Sequence, residues 1–90
     1  MGTALIKIKI MPTGLEIDLE EIKNKSETII KENKGENIIF SEEPIAFGLK
    51  AVIANFALDE KNELDPIEES LRKIEEVNSA EVVDMRRAFG

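Results

Sequence analysis

The most apolar run in this chain is Leu49-Lys50-Ala51-Val52-Ile53-Ala54-Asn55-Phe56-Ala57-Leu58, which only Lys50 and Asn55 interrupt. Nearly continuous apolar runs of this length are typical of strands that lie inside a sheet and are covered by neighbouring elements. The sequence therefore predicts a central strand over residues 49–58.

The segment just before this run has the residues of a tight turn. Asn37–Glu43 is predicted to form a strand, and Pro44 and Gly48 lie between it and the central strand. Proline fixes its own φ and cannot donate a ladder hydrogen bond, whereas glycine permits a sharp change of direction. The sequence therefore predicts a hairpin whose corner carries Ile45 and Phe47.

Two further strands are predicted near the two ends of the chain. Apolar and polar residues alternate in Thr3–Met11, as they do in a half-buried strand. The two faces of this strand would carry Ala4, Ile6, Ile8 and Ile10 on one side and Lys7 and Lys9 on the other. The last strand is expected to run from Ser79 to about Arg87, with Ala80 and Val82 on one face and Val83 and Met85 on the other.

Two helices are predicted from their termini and from their apolar spacing. Asp18 can cap the first helix, and Gly35 can supply the positive φ that often ends a helix. Asp65 can cap the second helix, whose first position holds Pro66. The inward-facing residues are expected to be Leu19, Ile22, Ser26, Ile29 and Ile30 in the first helix and Ile67, Leu71 and Ile74 in the second.

The elements follow one another in the order β-α-β-β-α-β. Two right-handed βαβ halves of this kind interleave into a four-stranded antiparallel sheet with both helices on one face. The sequence therefore predicts an α+β, ferredoxin-like sandwich that forms a single domain over residues 1–90. The second face of its sheet would be left uncovered.

The composition excludes several kinds of chemistry. The 90 residues include no cysteine and no histidine, which excludes disulfides, thiolate or imidazole metal ligands, and histidine acid–base catalysis. The acidic run from Asp59 to Asp65 has Leu64 where a calcium loop needs glycine. We therefore expect no metal site, no cofactor and no enzymatic activity.

The charge of the chain limits its partners. A formal net charge of −7 argues against binding to a nucleic-acid backbone, which needs clustered positive charge. RNA-binding modules of this fold also carry exposed aromatic residues on the first and third strands, where this chain offers Phe56 alone. No segment is long and apolar enough to span a bilayer, and no signal peptide is recognisable, so we expect a cytoplasmic protein.

Two short segments are candidates for binding a partner. The segment Pro44-Ile45-Ala46-Phe47-Gly48 can present a rigid aromatic side chain on a loop. Burial tendency favours the alternative, in which Phe47 is a core residue and the proline and glycine merely shape a hairpin. The basic pair Arg86-Arg87 can contact a partner, or it can simply protect the edge of the last strand from pairing.

The segment from Pro44 to Leu49, followed by Lys50, resembles the signature of the elongation factor 1-beta family, the nucleotide exchange factors of elongation factor 1-alpha. The likeness extends to the order of the elements, to the Ile67-Glu68-Glu69 start of the second helix and to the Asp84-Met85-Arg86-Arg87 ending. The short length is similar to that of the archaeal form, which consists of the exchange domain alone. The resemblance implies that the chain promotes GDP release from elongation factor 1-alpha, and GTP rebinding, during translation elongation.

The resemblance also implies roles for single residues. In the family, the aromatic residue of this segment packs into a pocket on the second domain of the GTPase, and the matching residue here is Phe47. In eukaryotic relatives a lysine near the C-terminus reaches toward the Mg²⁺ site, but this chain has no lysine after Lys73. We hypothesise that Arg86 or Arg87 performs an analogous task.

Two other functions remain open at this stage. The chain could be a regulatory module that binds a small ligand at the Pro12–Ile17 junction and acts through dimerisation. It could also be a structural subunit without exchange activity. Timing the release of labelled GDP from elongation factor 1-alpha would separate these two functions from nucleotide exchange.

Overall fold

Four strands and two helices make up the fold in a computed structural model that describes residues 2–88. The elements are β1 (Thr3–Pro12), α1 (Leu19–Glu32), β2 (Glu36–Pro44), β3 (Lys50–Asp59), α2 (Asp65–Arg72) and β4 (Val77–Ala88). The strands form an antiparallel sheet in the order β2-β3-β1-β4. The ferredoxin-like α+β fold and the central position of β3 are confirmed.

The alternation of β1 decides which face of the sheet is buried. Ile6, Ile8 and Ile10 are at most 3% exposed, because their side chains lie under the two helices. Lys7 lies opposite Asn55 of β3, and this pair belongs to the other face, which carries no helix. The predicted division of β1 into a core face and an open face is confirmed.

The core forms between the sheet and one stripe of each helix. The stripe of α1 consists of Ile22, Ser26 and Ile30, and that of α2 includes Ile67 and Leu71. All five side chains are fully buried, as their helical spacing predicts. Ser26 is the one buried polar side chain in residues 2–88, and its hydroxyl has no hydrogen-bond partner there.

The two helices begin differently. The Asp18 carboxylate caps α1 by accepting a hydrogen bond of 3.0 Å from the backbone N–H of Glu20, as predicted. The predicted cap of α2 by Asp65 is wrong. Leu64 occupies the N-cap position with backbone angles that are already helical, and its side chain makes no capping hydrogen bond. Asp65 therefore lies inside the first turn, where its negative charge is favourable near the helix N-terminus.

The end of α1 also differs from expectation. The residue with positive φ is Lys34, at 75°, and not Gly35. Glycine is needed at position 35 because of space: a Cβ atom there would collide with the side chain of Ile30 and would lie 3.2 Å from the ring of Phe56. Gly35 thus lets the chain leave the helix while pressed against the core.

An irregularity in β4 changes the face of one predicted residue. The pairing of β4 with β1 shifts between Lys7 and Ile8, so that Val83 has no residue opposite to it. Such a bulge reverses the alternation of everything that follows. Met85 therefore lies opposite Ile6, on the same helix-covered face as Ala80 and Val82, and the prediction that Met85 lies on the other face is wrong.

Candidate functional site

A closed turn joins β2 to β3 at one end of the molecule. Pro44 lies opposite Lys50 in the last pair of the ladder. Beyond this pair, the Ile45 N–H donates to the Leu49 carbonyl at 2.8 Å, and the Leu49 N–H donates to the Ala46 carbonyl at 2.9 Å. These two hydrogen bonds fix the path of the five residues between the strands.

Phe47 is the middle residue of this turn. Its side chain is 98% exposed, so the alternative that Phe47 is a core residue is wrong. Phe47 and Gly48 have φ angles of 54° and 81°, in the left-handed region that side-chain-bearing residues rarely adopt. This conformation costs a residue such as Phe47 roughly 1–2 kcal/mol. The turn therefore exposes an aromatic side chain to water, and it does so on a strained backbone.

Ion pairs connect the base of the hairpin to its surroundings. Glu42 of β2 accepts a hydrogen bond of 2.9 Å from the Lys23 ammonium of α1, and Glu43 lies 3.2 Å from the Lys9 ammonium. The hydrogen bond from Lys23 lowers the pKa of Glu42, and the hydrogen bond to Glu42 raises the pKa of Lys23. Because all four side chains are partly exposed, the pairs orient the hairpin more than they stabilise it.

The basic pair lies near the end of β4. The Nε atom of Arg86 is 3.0 Å from Asp84, and that of Arg87 is 2.6 Å from Glu60 of the loop after β3. Both arginine side chains remain 77% exposed. Since successive strand residues point to opposite faces, Arg86 belongs to the open face and Arg87 to the helix side. The two guanidinium groups therefore do not form one cluster.

The two candidate segments are at opposite ends of the sheet. The turn lies between the end of β2 and the start of β3. Arg87 lies opposite Ala4 of β1, and Ala4 lies opposite Leu58 near the end of β3. The distance from Lys50 to Leu58 along β3 is about 26 Å at the usual strand rise. The molecule is 42 Å long in its longest dimension. The structure therefore does not bring Phe47 and the arginines together.

The loop between β1 and α1 contributes a residue that the sequence alone does not indicate. Leu15 is 65% exposed and lies beside the hairpin turn. The depression between this loop and the turn, lined in part by Pro12, Ile17 and Gly48, has a volume of about 110 Å³. Pockets for small ligands are usually about 300–1,000 Å³. The Pro12–Ile17 junction therefore offers poor support for a small-ligand site.

Comparison with known proteins identifies the family. A family model described as the EF-1 guanine nucleotide exchange domain matches residues 5–88. The chain belongs to this family.

Individual relatives agree with this assignment over nearly their whole length. The chain is 40% identical to the elongation factor 1-beta of Methanococcus maripaludis over 86 residues, which are 94% of this chain and 97% of the relative. It is 41% identical to that of Methanosarcina barkeri over 97% of this chain and 99% of the relative. The corresponding protein of Methanocaldococcus jannaschii is 37% identical over 98% of this chain and 100% of the relative.

Family membership decides between the functions left open by the sequence. The domain description and the names of the archaeal relatives assign the chain to guanine nucleotide exchange in translation elongation. A small-ligand regulatory module is not favoured. Nucleotide exchange is a change of binding partner, in which no covalent bond is made or broken.

Proposed function

We propose that this exchange factor acts on elongation factor 1-alpha, from which it releases GDP so that GTP can rebind, and that Phe47 is its main anchor. The observation that carries the proposal is a 98% exposed phenylalanine at the tip of a hydrogen-bonded turn, in a chain of the nucleotide exchange family. The names of the archaeal relatives, elongation factor 1-beta, support this choice of partner.

The exchange would follow from binding energies alone. An exchange factor that binds the nucleotide-free GTPase more tightly than the GDP-bound form weakens GDP binding by the same factor. No acid, base or nucleophile is required for this, and the described residues of the turn offer none. We therefore propose that the chain acts without chemical catalysis and without a cofactor.

Phe47 suits the role of an anchor in two ways. A phenylalanine can bury about 150–250 Å² when it enters a pocket, which is a large gain for one residue. The turn is already closed by its own hydrogen bonds, so little backbone freedom is lost on binding. Because Phe47 is exposed, its removal should affect the complex far more than the fold.

The test is the rate at which fluorescent GDP leaves elongation factor 1-alpha, measured by stopped flow at increasing concentrations of this protein. The change Phe47→Ala should weaken the complex by roughly 2–4 kcal/mol, or about 30- to 700-fold. Ile39→Ala, which truncates another exposed apolar side chain, is the matched control and should leave exchange unchanged. Normal exchange by Phe47→Ala would refute the anchoring role, and a wild-type protein without effect on GDP release would refute the proposed function.

We further propose that Arg86 or Arg87 acts at the phosphate or Mg²⁺ region of the GTPase, while the turn binds elsewhere on it. Guanidinium groups at that region would compete for acidic ligands or rearrange the phosphate loop. Replacing both arginines by alanine should then slow GDP release more than it weakens the complex. If the pair only protects the edge of β4, the double variant should exchange normally and self-associate at high concentration, which sedimentation would detect.

The rest of the proposal concerns where the protein acts, how far its domain extends and what it does not bind. Within residues 2–88, neither helix is long and apolar enough to cross a membrane. We propose a cytoplasmic protein that forms one exchange domain over residues 1–90 and does not bind nucleic acid or membranes directly. The charge of −7 supports the lack of direct contact with nucleic acid.

A further inference from the structure

A second apolar side chain is presented at the same end of the molecule as Phe47. Leu15 lies in the loop between β1 and α1, and its side chain is 65% exposed. Its Cδ2 atom would be 3.7 Å from a Cβ atom placed on Gly48, the residue next to Phe47. Leu15 and the turn are therefore in direct contact range, although they are far apart in the chain.

The loop that carries Leu15 is fixed at both of its ends. Pro12 is buried at the end of β1, and the N–H of Thr13 donates to the Glu76 carbonyl at 2.9 Å. At the other end, Asp18 caps α1, and Ile17 packs against the core. An exposed leucine on a loop that is held in this way has a defined position, as a binding residue needs.

Three exposed apolar residues lie at this end of the molecule, and we call them the apolar tip: Leu15, Ile45 and Phe47. These residues are 65%, 38% and 98% exposed and come from two separate loops. The remaining large exposed apolar residues in the described part of the chain lie elsewhere, on the strands. Exposed apolar residues that lie near one another on the surface of a small protein are typical of an interface.

The charges around the apolar tip indicate what kind of surface would cover it. Glu16 is exposed beside Leu15, whereas Lys50 lines the depression beside the turn. Glu43, just before the turn, lies 3.2 Å from the Lys9 ammonium. The charges next to the apolar tip are therefore of both signs, but the whole chain has a net charge of −7, which favours a partner that carries cationic groups and offers an apolar depression. A second copy of this acidic chain would bring like charges together.

We propose that Leu15 is a further binding residue. It would contact the same surface of the GTPase as Phe47 and fix the orientation of the turn on that surface. The proposal rests on the proposed function, because it assigns Leu15 to the interface that Phe47 would anchor. The occupant of the apolar tip is thus a surface with an apolar depression on a protein that carries cationic groups. Leu15 would extend the contact made by Phe47 across the depression beside Gly48.

The experiment is a titration of elongation factor 1-alpha, loaded with fluorescent GDP, with the full chain and its variants. Leu15→Ala should raise the concentration needed for half-maximal GDP release about tenfold and leave the maximal rate unchanged, since it removes binding and not the rearrangement at the nucleotide. Leu15→Met, which conserves volume, should stay within about twofold of the wild type. Ile39→Ala is an exact match in exposure, at 65%, and should have no effect.

The outcomes separate this proposal from the one on which it rests. If Phe47→Ala impairs exchange and Leu15→Ala does not, the role of Leu15 is refuted while that of Phe47 stands. If neither change has an effect, the anchoring role of Phe47 fails as well. A Leu15→Ala protein that melts at the wild-type temperature but differs only in self-association, by sedimentation, would show that a second copy covers the apolar tip and would overturn the proposal.

Discussion

Replacing Phe47 by glycine should make the protein slightly more stable and nearly inactive in exchange. Phe47 has a φ of 54°, which costs a residue with a side chain roughly 1–2 kcal/mol and costs glycine almost nothing. Glycine loses more freedom on folding, by roughly 0.5–1 kcal/mol. The side chain is 98% exposed, so its removal forfeits almost no burial. The expected net gain in folding free energy is about 0.5 kcal/mol.

This difference is measurable by thermal unfolding. For a domain of this size, 0.5 kcal/mol corresponds to a rise of about 2–4 °C in Tm. Phe47→Ala is the control, because alanine keeps the backbone penalty and should melt close to the wild type. In the GDP-release assay, glycine should be at least as damaging as alanine, since it removes the ring and also loosens the turn.

Either of two results would refute this reasoning. If Phe47→Gly melted several degrees below the wild type while Phe47→Ala did not, glycine would be destabilising a backbone that is not under strain. If both variants melted much lower, the ring would be making stabilising contacts within the chain, and its 98% exposure would not describe the protein in solution.

Three further changes test the packing and the charges of the fold. Ser26→Ala should raise stability by about 1 kcal/mol in urea unfolding, because it removes a buried hydroxyl that has no partner in residues 2–88; a loss would mean that the hydroxyl is satisfied. Gly35→Ala should lower stability by about 1–3 kcal/mol, since its Cβ would collide with Ile30; an unchanged urea midpoint would contradict that contact. The folded pKa of Glu42 lies below its unfolded value, so the stability from its pairing with Lys23 is complete above that unfolded value, about pH 4.5, and is lost as the pH falls through the folded pKa. Glu42→Gln should flatten this part of the pH profile, and an equal slope in both proteins would exclude the pair as its cause.

The fold could be predicted from local patterns because most of its elements follow a single periodicity. The alternation of β1 and the apolar run of β3 specify the buried face without knowledge of the neighbours. The face of Met85 was not predictable in this way, because it depends on a bulge at Val83 that arises from pairing with β1. The Asp65 cap failed for a similar reason, since the backbone at Leu64 is already helical.

The candidate site was predictable only in part. The segment around Phe47 is marked by its resemblance to a family, but its exposure is a property of the folded turn, since phenylalanine is more often buried. The sequence places Arg86 and Arg87 side by side, whereas the strand sends them to opposite faces and to different acidic partners. Leu15 carries no local signal, because a leucine in a loop becomes a surface residue only when the hairpin turn is placed beside it.

The length of β3 has a mechanical consequence. This strand is bonded on both sides and runs without a bulge opposite β1, from the turn that carries Phe47 to the level of Arg87. The span between the two candidate segments is therefore set by peptide geometry, which stretches or shortens very little. A partner bound to both ends of this protein could not change the distance between its two contact points without losing one of the two contacts. The sheet would act as a rigid spacer that is compatible with some shapes of its partner and not with others.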